Sequence, residues 1–493
     1  MKLKISILFI LTVSVTSCFI GPPTPPWIWN EINTEQKESL VFDVNNSDAK
    51  VLWETSSTPA LYYSETGKIF ISADPIMSRS GILYLQGSED MLKAINPQTG
   101  GLITTYTIED PFTISSAYNN DDEIVIGVIN KSKDSSTKSK MNLLYFIVIN
   151  EKLQKVVAFT YGKADELYAL YHYLYTYYTN NKIIDLWQHF EELDVWDAKT
   201  DKLLWSSNPS TFSKPVKVMA AYTYDDIVYG LIDPDDNKHF IVKAYKLSDG
   251  EPIWETTFDK TETIKGYSMQ MFKNKFLLVE GQYTTKGKDI PIPGGGKIMA
   301  LHLSDGTIAW QRDGYVANYP HIKNTIYIVA PHSNNTLEVV SPENGATITS
   351  ASIEDNALLL WVFETSDGFL YVSKDFGYLN HRNKCNLSLT WSFKIGKTWN
   401  WILTDIHDDT FTFDAPYSSA YEYGKLSYIW GVHVGLTDTT FAADATTGKI
   451  LWKARIEGDN PIVVRTVLAR NNMAFIKTAA GNVFAVKWEN KKQ

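Results

Sequence analysis

Short runs in which apolar and polar residues alternate, each bounded by turn-forming residues, recur along the whole chain. Further short strand-like runs, such as Ile124–Val128, Ile227–Leu231 and Ile326–Val329, lie upstream of the turns. Alternation with a period of two predicts half-buried strands. No stretch of twelve or more residues carries a convincing helical period. The pattern therefore predicts an all-β fold.

A frame around a tight turn repeats along the chain. In Phe441–Ile456, Ala442 lies six residues before Gly448, and Trp452 lies four residues after it. Glycine suits a turn position that requires positive φ. Further copies with this spacing are Ala244-Gly250-Trp254, Ala300-Gly306-Trp310 and, with Asp at the turn, Val195-Asp201-Trp205. The weaker copies are Gly100 with Thr104, Gly345 with Thr349, Ala49 with Trp53, and units near Leu144–Phe159 and Phe369–Phe393.

The turns recur about every fifty residues, with roughly four strands in each interval, which is typical of propeller blades. We expect a β-propeller of four-stranded antiparallel blades, eight in number, with seven or nine also compatible. The last strands, Met473–Lys477 and Val483–Lys487, have no following turn and Trp strand. They are expected to form a blade with the N-terminal strands Val41–Val44 and Val51–Trp53, which would close the ring and remove sheet edges.

The most complete copy matches A-x-D-x-x-T-G-K-x-x-W through Ala442, Asp444, Thr447, Gly448, Lys449 and Trp452. It resembles the tryptophan-docking repeat of PQQ-type (quinoprotein) β-propellers, which include alcohol dehydrogenases and the propeller lipoprotein of the outer-membrane β-barrel assembly machinery. The resemblance implies that the tryptophan packs between neighbouring blades. The residues expected in this structural role are Trp205, Trp254, Trp310, Trp452, Gly250, Gly306 and Gly448. Stacking of a ligand on these tryptophans is the alternative.

The N-terminus resembles a bacterial lipoprotein signal. Lys2 and Lys4 precede an apolar run that ends at Val15-Thr16-Ser17-Cys18. Residues 1–17 are expected to be removed and Cys18 to be lipid-modified, with palmitate among the acyl chains. Residues 18–39 are expected as a Pro-rich tether, and residues 40–493 as a single propeller domain. An ordinary secretory signal with an incidental Cys is the alternative.

Charge and sorting signals limit the possible partners and location. Removing residues 1–17 removes two lysines and no acids, so the net charge changes from −10 to −12. This excludes a nucleic-acid binder and electrostatic attachment to anionic lipids. Phe19, as a residue other than Asp after the Cys, favours the outer membrane, on its periplasmic or surface face, over the inner one. If Cys18 is lipidated, Cys385 has no partner for an intrachain disulfide. We also expect the folded body to be monomeric.

No catalytic, cofactor-binding or metal-binding residue is assigned. By resemblance, a quinoprotein dehydrogenase needs PQQ, calcium, an adjacent Cys pair and an Asp base, and the chain lacks that Cys pair. Gly294–Lys297 lacks the spacing of a P-loop and is expected in a hairpin loop, Lys286–Gly296. Asp405, His407, Asp408 and Asp409 could ligate a metal, but a charged turn before Thr410–Phe413 is favoured.

Function is expected where the repeat is interrupted. The aromatic stretch Tyr168–Phe190 is predicted as two packed strands, with an exposed binding face as the alternative. Ala415–Trp430 is a longer insertion, and loops of this kind bind partners. The leading hypothesis is a lipid-anchored, non-catalytic scaffold that binds proteins through such loops, by analogy in envelope or outer-membrane protein assembly. The alternatives are a quinoprotein-type dehydrogenase and a carbohydrate- or ligand-binding propeller.

Overall fold

The computed structural model describes residues 38 to 489 with gaps. Outside the described residues lie 1–37, 490–493 and internal segments, of which those of three or more residues are 43–48, 64–68, 72–74, 109–111, 131–141, 151–154, 165–175, 188–191, 208–216, 261–263, 285–290, 318–324, 330–335, 354–361, 373–377, 395–401, 416–438 and 458–462. The expected signal, Cys18 and nearly all of the tether fall outside this part. Within it, no helix has the length and apolar character needed to cross a membrane.

Every regular element of the described residues is a strand, numbered here in chain order. The first twenty are β1 (Ser39–Phe42), β2 (Lys50–Ser56), β3 (Leu61–Tyr63), β4 (Ile69–Ile71), β5 (Ile76–Met77), β6 (Leu83–Ser88), β7 (Met91–Ile95), β8 (Leu102–Thr107), β9 (Phe112–Asn120), β10 (Glu123–Asn130), β11 (Asn142–Asn150), β12 (Lys155–Ala164), β13 (Thr176–Thr179), β14 (Lys182–Trp187), β15 (Glu192–Asp197), β16 (Lys202–Ser206), β17 (Lys217–Tyr224), β18 (Ile227–Asp233), β19 (His239–Lys246) and β20 (Pro252–Asp259).

The remaining strands complete the described chain. They are β21 (Ile264–Phe272), β22 (Phe276–Thr284), β23 (Pro291–His302), β24 (Ile308–Asp313), β25 (Tyr315–Val316), β26 (Ile326–Val329), β27 (Thr336–Val340), β28 (Thr347–Ser352), β29 (Val362–Glu364), β30 (Gly368–Val372), β31 (Tyr378–Asn383), β32 (Leu389–Lys394), β33 (Ile402–His407), β34 (Thr410–Ala415), β35 (Thr439–Asp444), β36 (Ile450–Glu457), β37 (Val463–Ala469), β38 (Met473–Thr478) and β39 (Asn482–Lys487).

The chain divides into two compact units. The first unit comprises residues 1–12 and 174–397, and the second comprises 13–173 and 398–493. The described part of the first unit holds five four-stranded sheets, each in sequence order: β13–β16, β17–β20, β21–β24, β25–β28 and β29–β32. The second unit holds the sheets β5–β8 and β9–β12, the sheet β2-β39-β38-β37, the five-stranded sheet β1-β36-β35-β34-β33, and the hairpin β3-β4.

The core lies between consecutive sheets. One cluster in the first unit joins Phe240 and Val242 of β19 to Leu277 and Val279 of β22, which belongs to the next sheet. The inner strands are therefore buried on both faces and read as nearly continuous apolar runs, as in MAFIKT of β38, all six residues of which are buried.

The expected fold class is confirmed. The fold is all-β, and antiparallel four-stranded sheets follow one another along the chain as the blades of a β-propeller do. The described residues form nine sheets of four or five strands. The number of blades in a closed ring, and the extent of the expected single domain, stay predictions.

The two ends of the chain meet in the second unit. Strand β2 pairs with β39, so an N-terminal strand completes the sheet formed by the last three strands. Strand β1, which begins at the last residue of the expected tether, adds a fifth strand to the neighbouring sheet by pairing with β36. The buried Glu38 accepts hydrogen bonds from Thr478 Oγ1 and from Asn482 Nδ2 (2.8 Å for the latter). These contacts hold the start of the described chain against its end.

One sequence-based expectation is wrong. Gly294–Gly296 does not lie in a hairpin loop, because β23 runs through all three glycines. The reason is close backbone approach. A Cβ on Gly296 would lie 2.6 Å from the carbonyl oxygen of Gly314 and 2.9 Å from that of Gly281. Glycine is needed there for space between strands rather than for turn conformation.

Candidate functional site

The tryptophans of the repeat bridge consecutive sheets of the first unit. In each case the indole Nε1–H donates to the backbone carbonyl that lies three residues before the turn glycine of the next sheet. The pairs are Trp205 to Leu247 (3.0 Å), Trp254 to Leu303 (2.9 Å) and Trp310 to Pro342 (2.7 Å). Since a buried indole N–H requires an acceptor, this bond fixes each ring over the neighbouring turn.

The turn positions require glycine for two reasons. Gly250 and Gly306 have φ of 72° and 69°, which disfavours any side chain. A Cβ at Gly250 would also lie 2.6 Å from Cδ2 of Trp205, and one at Gly306 would collide with the ring of Trp254. The glycine of one sheet is thus dictated by the tryptophan of the sheet before it.

The weaker copy at Trp53 adopts the same geometry in the second unit. Its Nε1 donates to Pro97 O (2.9 Å), again three residues before a turn glycine. A Cβ on Gly100, whose φ is 70°, would lie 2.7 Å from the Trp53 ring. The contact therefore does not depend on the complete sequence motif.

Trp452, in the complete copy, makes a different contact. Its side chain is fully buried, and its ring packs against Phe42 (6.4 Å between centroids) and Trp488 (5.9 Å). Within the described part of the chain its Nε1 finds no acceptor. The reason is the topology of the adjacent sheet, β2-β39-β38-β37, in which β39 is the third strand and β2 the fourth. These two strands come from opposite parts of the chain, so no tight turn joins them to offer the usual carbonyl.

The structure reveals a copy that the sequence reasoning left degenerate. In the sheet β29–β32, Leu387 occupies the turn position with φ of 56°, and its N–H donates to Asn383 O (2.9 Å) as Gly306 N–H does to His302 O. Its side chain is fully buried, in a cluster with Ile353 and the partly buried Ala351 of the preceding sheet. That sheet has Thr349 at the tryptophan position. A large turn residue therefore accompanies a small docking residue.

His381 lies in a polar cluster whose residue types are those of a catalytic site. It is fully buried and hydrogen-bonds through Nε2 with Thr365 Oγ1 (3.0 Å) and through Nδ1 with Thr390 Oγ1 (2.5 Å). Asp367 Oδ1 lies 3.3 Å from Nε2, and the ring stacks on Trp391 with an interplanar angle of 9°. Both nitrogens are engaged and the ring has no access to solvent, so the cluster secures a turn rather than binding a substrate.

Glu280 is a buried carboxyl between two sheets. Its Oε2 accepts from the Val316 N–H at 3.4 Å, and burial raises the pKa of the carboxyl to about 8. Gln86, at the equivalent position of another sheet, donates its Nε2–H to Ile114 O (3.5 Å). An amide side chain therefore fits a site of this kind. The Glu280 carboxyl, which is protonated at neutral pH, resembles such an amide.

The other candidates lie apart. Asp405 and His407 belong to β33, whereas Asp408 and Asp409 fall outside the described residues. Among the described residues no group of three or more His, Cys, Asp or Glu could hold a metal ion. Of Tyr168–Phe190, only β13 and β14 are described, and they pair as two strands. Nearly all of Ala415–Trp430 falls outside the described residues.

A feature that the sequence reasoning missed is exposed apolar side chains at the start of the outer, fourth strands. They recur two or three residues after the turn position, and a count from the turn glycine would have found them. They are Leu102, Ile103, Leu203, Leu204, Ile253, Ile308, Ile348 and Leu389, with exposures from 37% to 66%. Recurrence at equivalent positions distinguishes them from scattered surface residues.

Comparison with known proteins gives matches to solved structures. No family model and no curated protein matches the chain. The chain is similar to BamB from Moraxella catarrhalis, with 12% identity and a TM-score of 0.40 over 89% of this chain and 100% of the other. It is similar to the C-terminal WD40 domain of Sif2 (9%, 0.40, 90% and 99%) and to Sqt1 of Saccharomyces cerevisiae (9%, 0.38, 89% and 98%).

Gly306→Ala should destabilise the fold by about 2–4 kcal/mol, because it combines positive-φ strain with a clash against Trp254. Urea unfolding followed by tryptophan fluorescence measures the change. Gly230→Ala is the control, since a Cβ there meets its nearest neighbour at 3.7 Å. Equal losses in the two variants would contradict the docking account.

Leu387→Gly and Thr349→Trp should each destabilise, by about 2–4 kcal/mol through a cavity and by about 1–3 kcal/mol through overpacking, respectively. The double variant restores the usual pair, so we expect a favourable coupling of about 1–3 kcal/mol. A double-mutant cycle on unfolding free energies measures it. Thr104→Trp, in the other unit, combined with Leu387→Gly should be additive. Additivity in both cycles would contradict exchange at one site.

Glu280→Gln should flatten the pH dependence of stability. In the fold the carboxyl stays neutral up to its raised pKa of about 8, whereas in the unfolded chain it ionises around its ordinary pKa of 4.5. Its contribution is complete below pH 4.5 and is lost as the pH rises toward 8, by up to about 1.4 kcal/mol per pH unit. Unfolding free energies between pH 5 and 8 measure this, and parallel profiles for both proteins would contradict it.

Proposed function

We propose that the protein is a lipid-anchored, non-catalytic scaffold of the bacterial cell envelope that binds other proteins. The observation that carries the proposal is the recurrence of exposed apolar residues on the outer strands of both units, such as Ile348 at 66% exposure. A protein without partners gains nothing from repeating such a residue in sheet after sheet, and exposed apolar surface is typical of interaction sites.

The anchor rests on the sequence around Cys18 and on the Pro-rich segment after it. A lipid at Cys18 would hold the acidic body close to a membrane that its own charge does not attract. The outer membrane is the proposed location, with a role in envelope or outer-membrane protein assembly. Partner contacts through the loops, without PQQ or calcium, belong to the same proposal.

The anchor is tested by labelling cells with radioactive palmitate. The wild type should be labelled and processed in a globomycin-sensitive way, and Cys18→Ala should carry no label. Cys385→Ala is the matched control because Cys385 is the other cysteine of the chain and is exposed. Label retained in Cys18→Ala, or absent from the wild type, would contradict the anchor.

The scaffold is tested by crosslinking the full chain in intact cells. We expect the same envelope protein to be recovered in replicate experiments and not from cells that lack the chain. Two results would overturn the proposal. One is the absence of any reproducible partner, and the other is dye-linked oxidation of an alcohol or sugar after PQQ and calcium are added.

A further inference from the structure

Strand β8 carries a free edge in the second unit. It ends the sheet order β5-β6-β7-β8, so one edge pairs with β7 and no described strand pairs with the other. The Ile108 N–H donates to Asp90 O (2.8 Å), and the register then places Tyr106 opposite Leu92. Because hydrogen-bonded pairs alternate along an antiparallel ladder, Thr105 points its N–H and C=O to the free edge.

This edge lacks the usual protection against added strands. The six residues of β8, LITTYT, include no charge and no proline, and four of them are exposed. Edge strands ordinarily carry Lys, other charges or Pro to block pairing. Other outer strands of this protein follow that rule, with Pro252 and Glu255 in β20 and Arg312 and Asp313 in β24. β28 shares the uncharged character of β8 but has smaller exposed side chains.

The chain itself shows that an outer edge accepts a fifth strand. β1 pairs antiparallel with β36, from Ser39 opposite Glu457 to Phe42 opposite Ala454. Phe42 then packs in the same cluster as Leu451, three residues after its turn glycine. Ala454 and Arg455 of the paired stretch correspond to Tyr106 and Thr107 of β8, and the exposed Leu102 (59%) and Ile103 (51%) precede them. A strand added along the whole of β8 would also cover Leu102 and Ile103.

We propose that the free edge of β8 binds an extended segment of a partner protein as an additional antiparallel strand. The inference rests on the proposed scaffold function and names its docking surface. The segment is about four to six residues long, β-branched or apolar at alternate positions, and neutral or basic to complement a chain of net charge −10. Backbone hydrogen bonds supply affinity, and pockets for alternate side chains supply specificity.

A second copy of the chain fits this edge less well. Two copies would each bring a net charge of −10, and like charge opposes association. A six-residue strand spans only about 20 Å, and two rigid bodies joined along it would bury less than the roughly 800 Å² per partner of a stable dimer. A flexible segment follows the edge without that requirement.

The test is a titration of the purified full chain with a fluorescein-labelled peptide, Lys-Thr-Val-Thr-Val-Thr-Val-Lys, followed by anisotropy. Thr105→Pro removes an N–H that faces the free edge and so breaks no bond to β7. We expect at least tenfold weaker binding to this variant, and a similar loss when alternate peptide amides are N-methylated. The matched control is Thr257→Pro in β20, at an equivalent outward position in the register, with a change below twofold.

Three results would overturn the proposal: equal binding to wild type and Thr105→Pro, no binding to wild type, or a wild-type dimer in light scattering that Thr105→Pro abolishes. Thermal melting checks that the variant folds, and Thr105→Lys replaces it otherwise. Crosslinking separates the two proposals. A partner recovered equally with Thr105→Pro refutes the edge and leaves the scaffold, whereas absence of any partner refutes the scaffold while the titration still decides the edge.

Discussion

The contact between a tryptophan and the turn of the next sheet constrains the rest of this structure. The contact has three parts, as Trp254 and Gly306 show. The indole N–H donates to a backbone carbonyl, the turn glycine has a positive φ, and the ring leaves no room for a Cβ on that glycine. The tryptophan and its acceptor lie 32 to 49 residues apart in sequence. Since three consecutive pairs of sheets in the first unit and one pair in the second are held by this contact, stability is expected to add up from neighbouring pairs.

This constraint explains how far the sequence could predict the fold. Strand alternation and the glycine-to-tryptophan spacing were sufficient to predict the sheets and the docking frame. Leu387 escapes prediction because the frame uses glycine to locate the turn, although Leu387 has the standard spacing to Trp391. The size of the turn residue depends on Thr349 of the preceding sheet, and the pattern of one repeat does not include a residue of another sheet. Gly296 escapes prediction for a similar reason, since the carbonyl groups that leave it no room belong to Gly281 and Gly314, which lie far from it in sequence.

The same packing removes most candidate chemistry from consideration. Asp444 of the complete copy accepts hydrogen bonds from the N–H groups of Thr446 (3.0 Å) and Thr447 (2.8 Å), so its carboxylate shapes a turn. His381 binds two threonines, and Glu280 lies between sheets. Polar groups that a sequence motif would suggest as a site instead make hydrogen bonds that stabilise the fold. Sequence therefore gives little information about the site, which depends on surfaces left over after packing.

The outer strands are such surfaces, and the docking contact bears on them as well. β8 and β28 are outer strands that have threonine, Thr104 and Thr349, where sister copies have tryptophan, and both are free of charge. A strand without an indole is not held by that bond to the next turn, and an uncharged edge presents no obstacle to pairing. These two features are separate, since β36 keeps Trp452, Lys453 and Arg455 and still pairs with β1. An edge strand that lacks both the indole and the charges, as β8 does, meets neither constraint, and this is why β8 is the edge proposed for a partner.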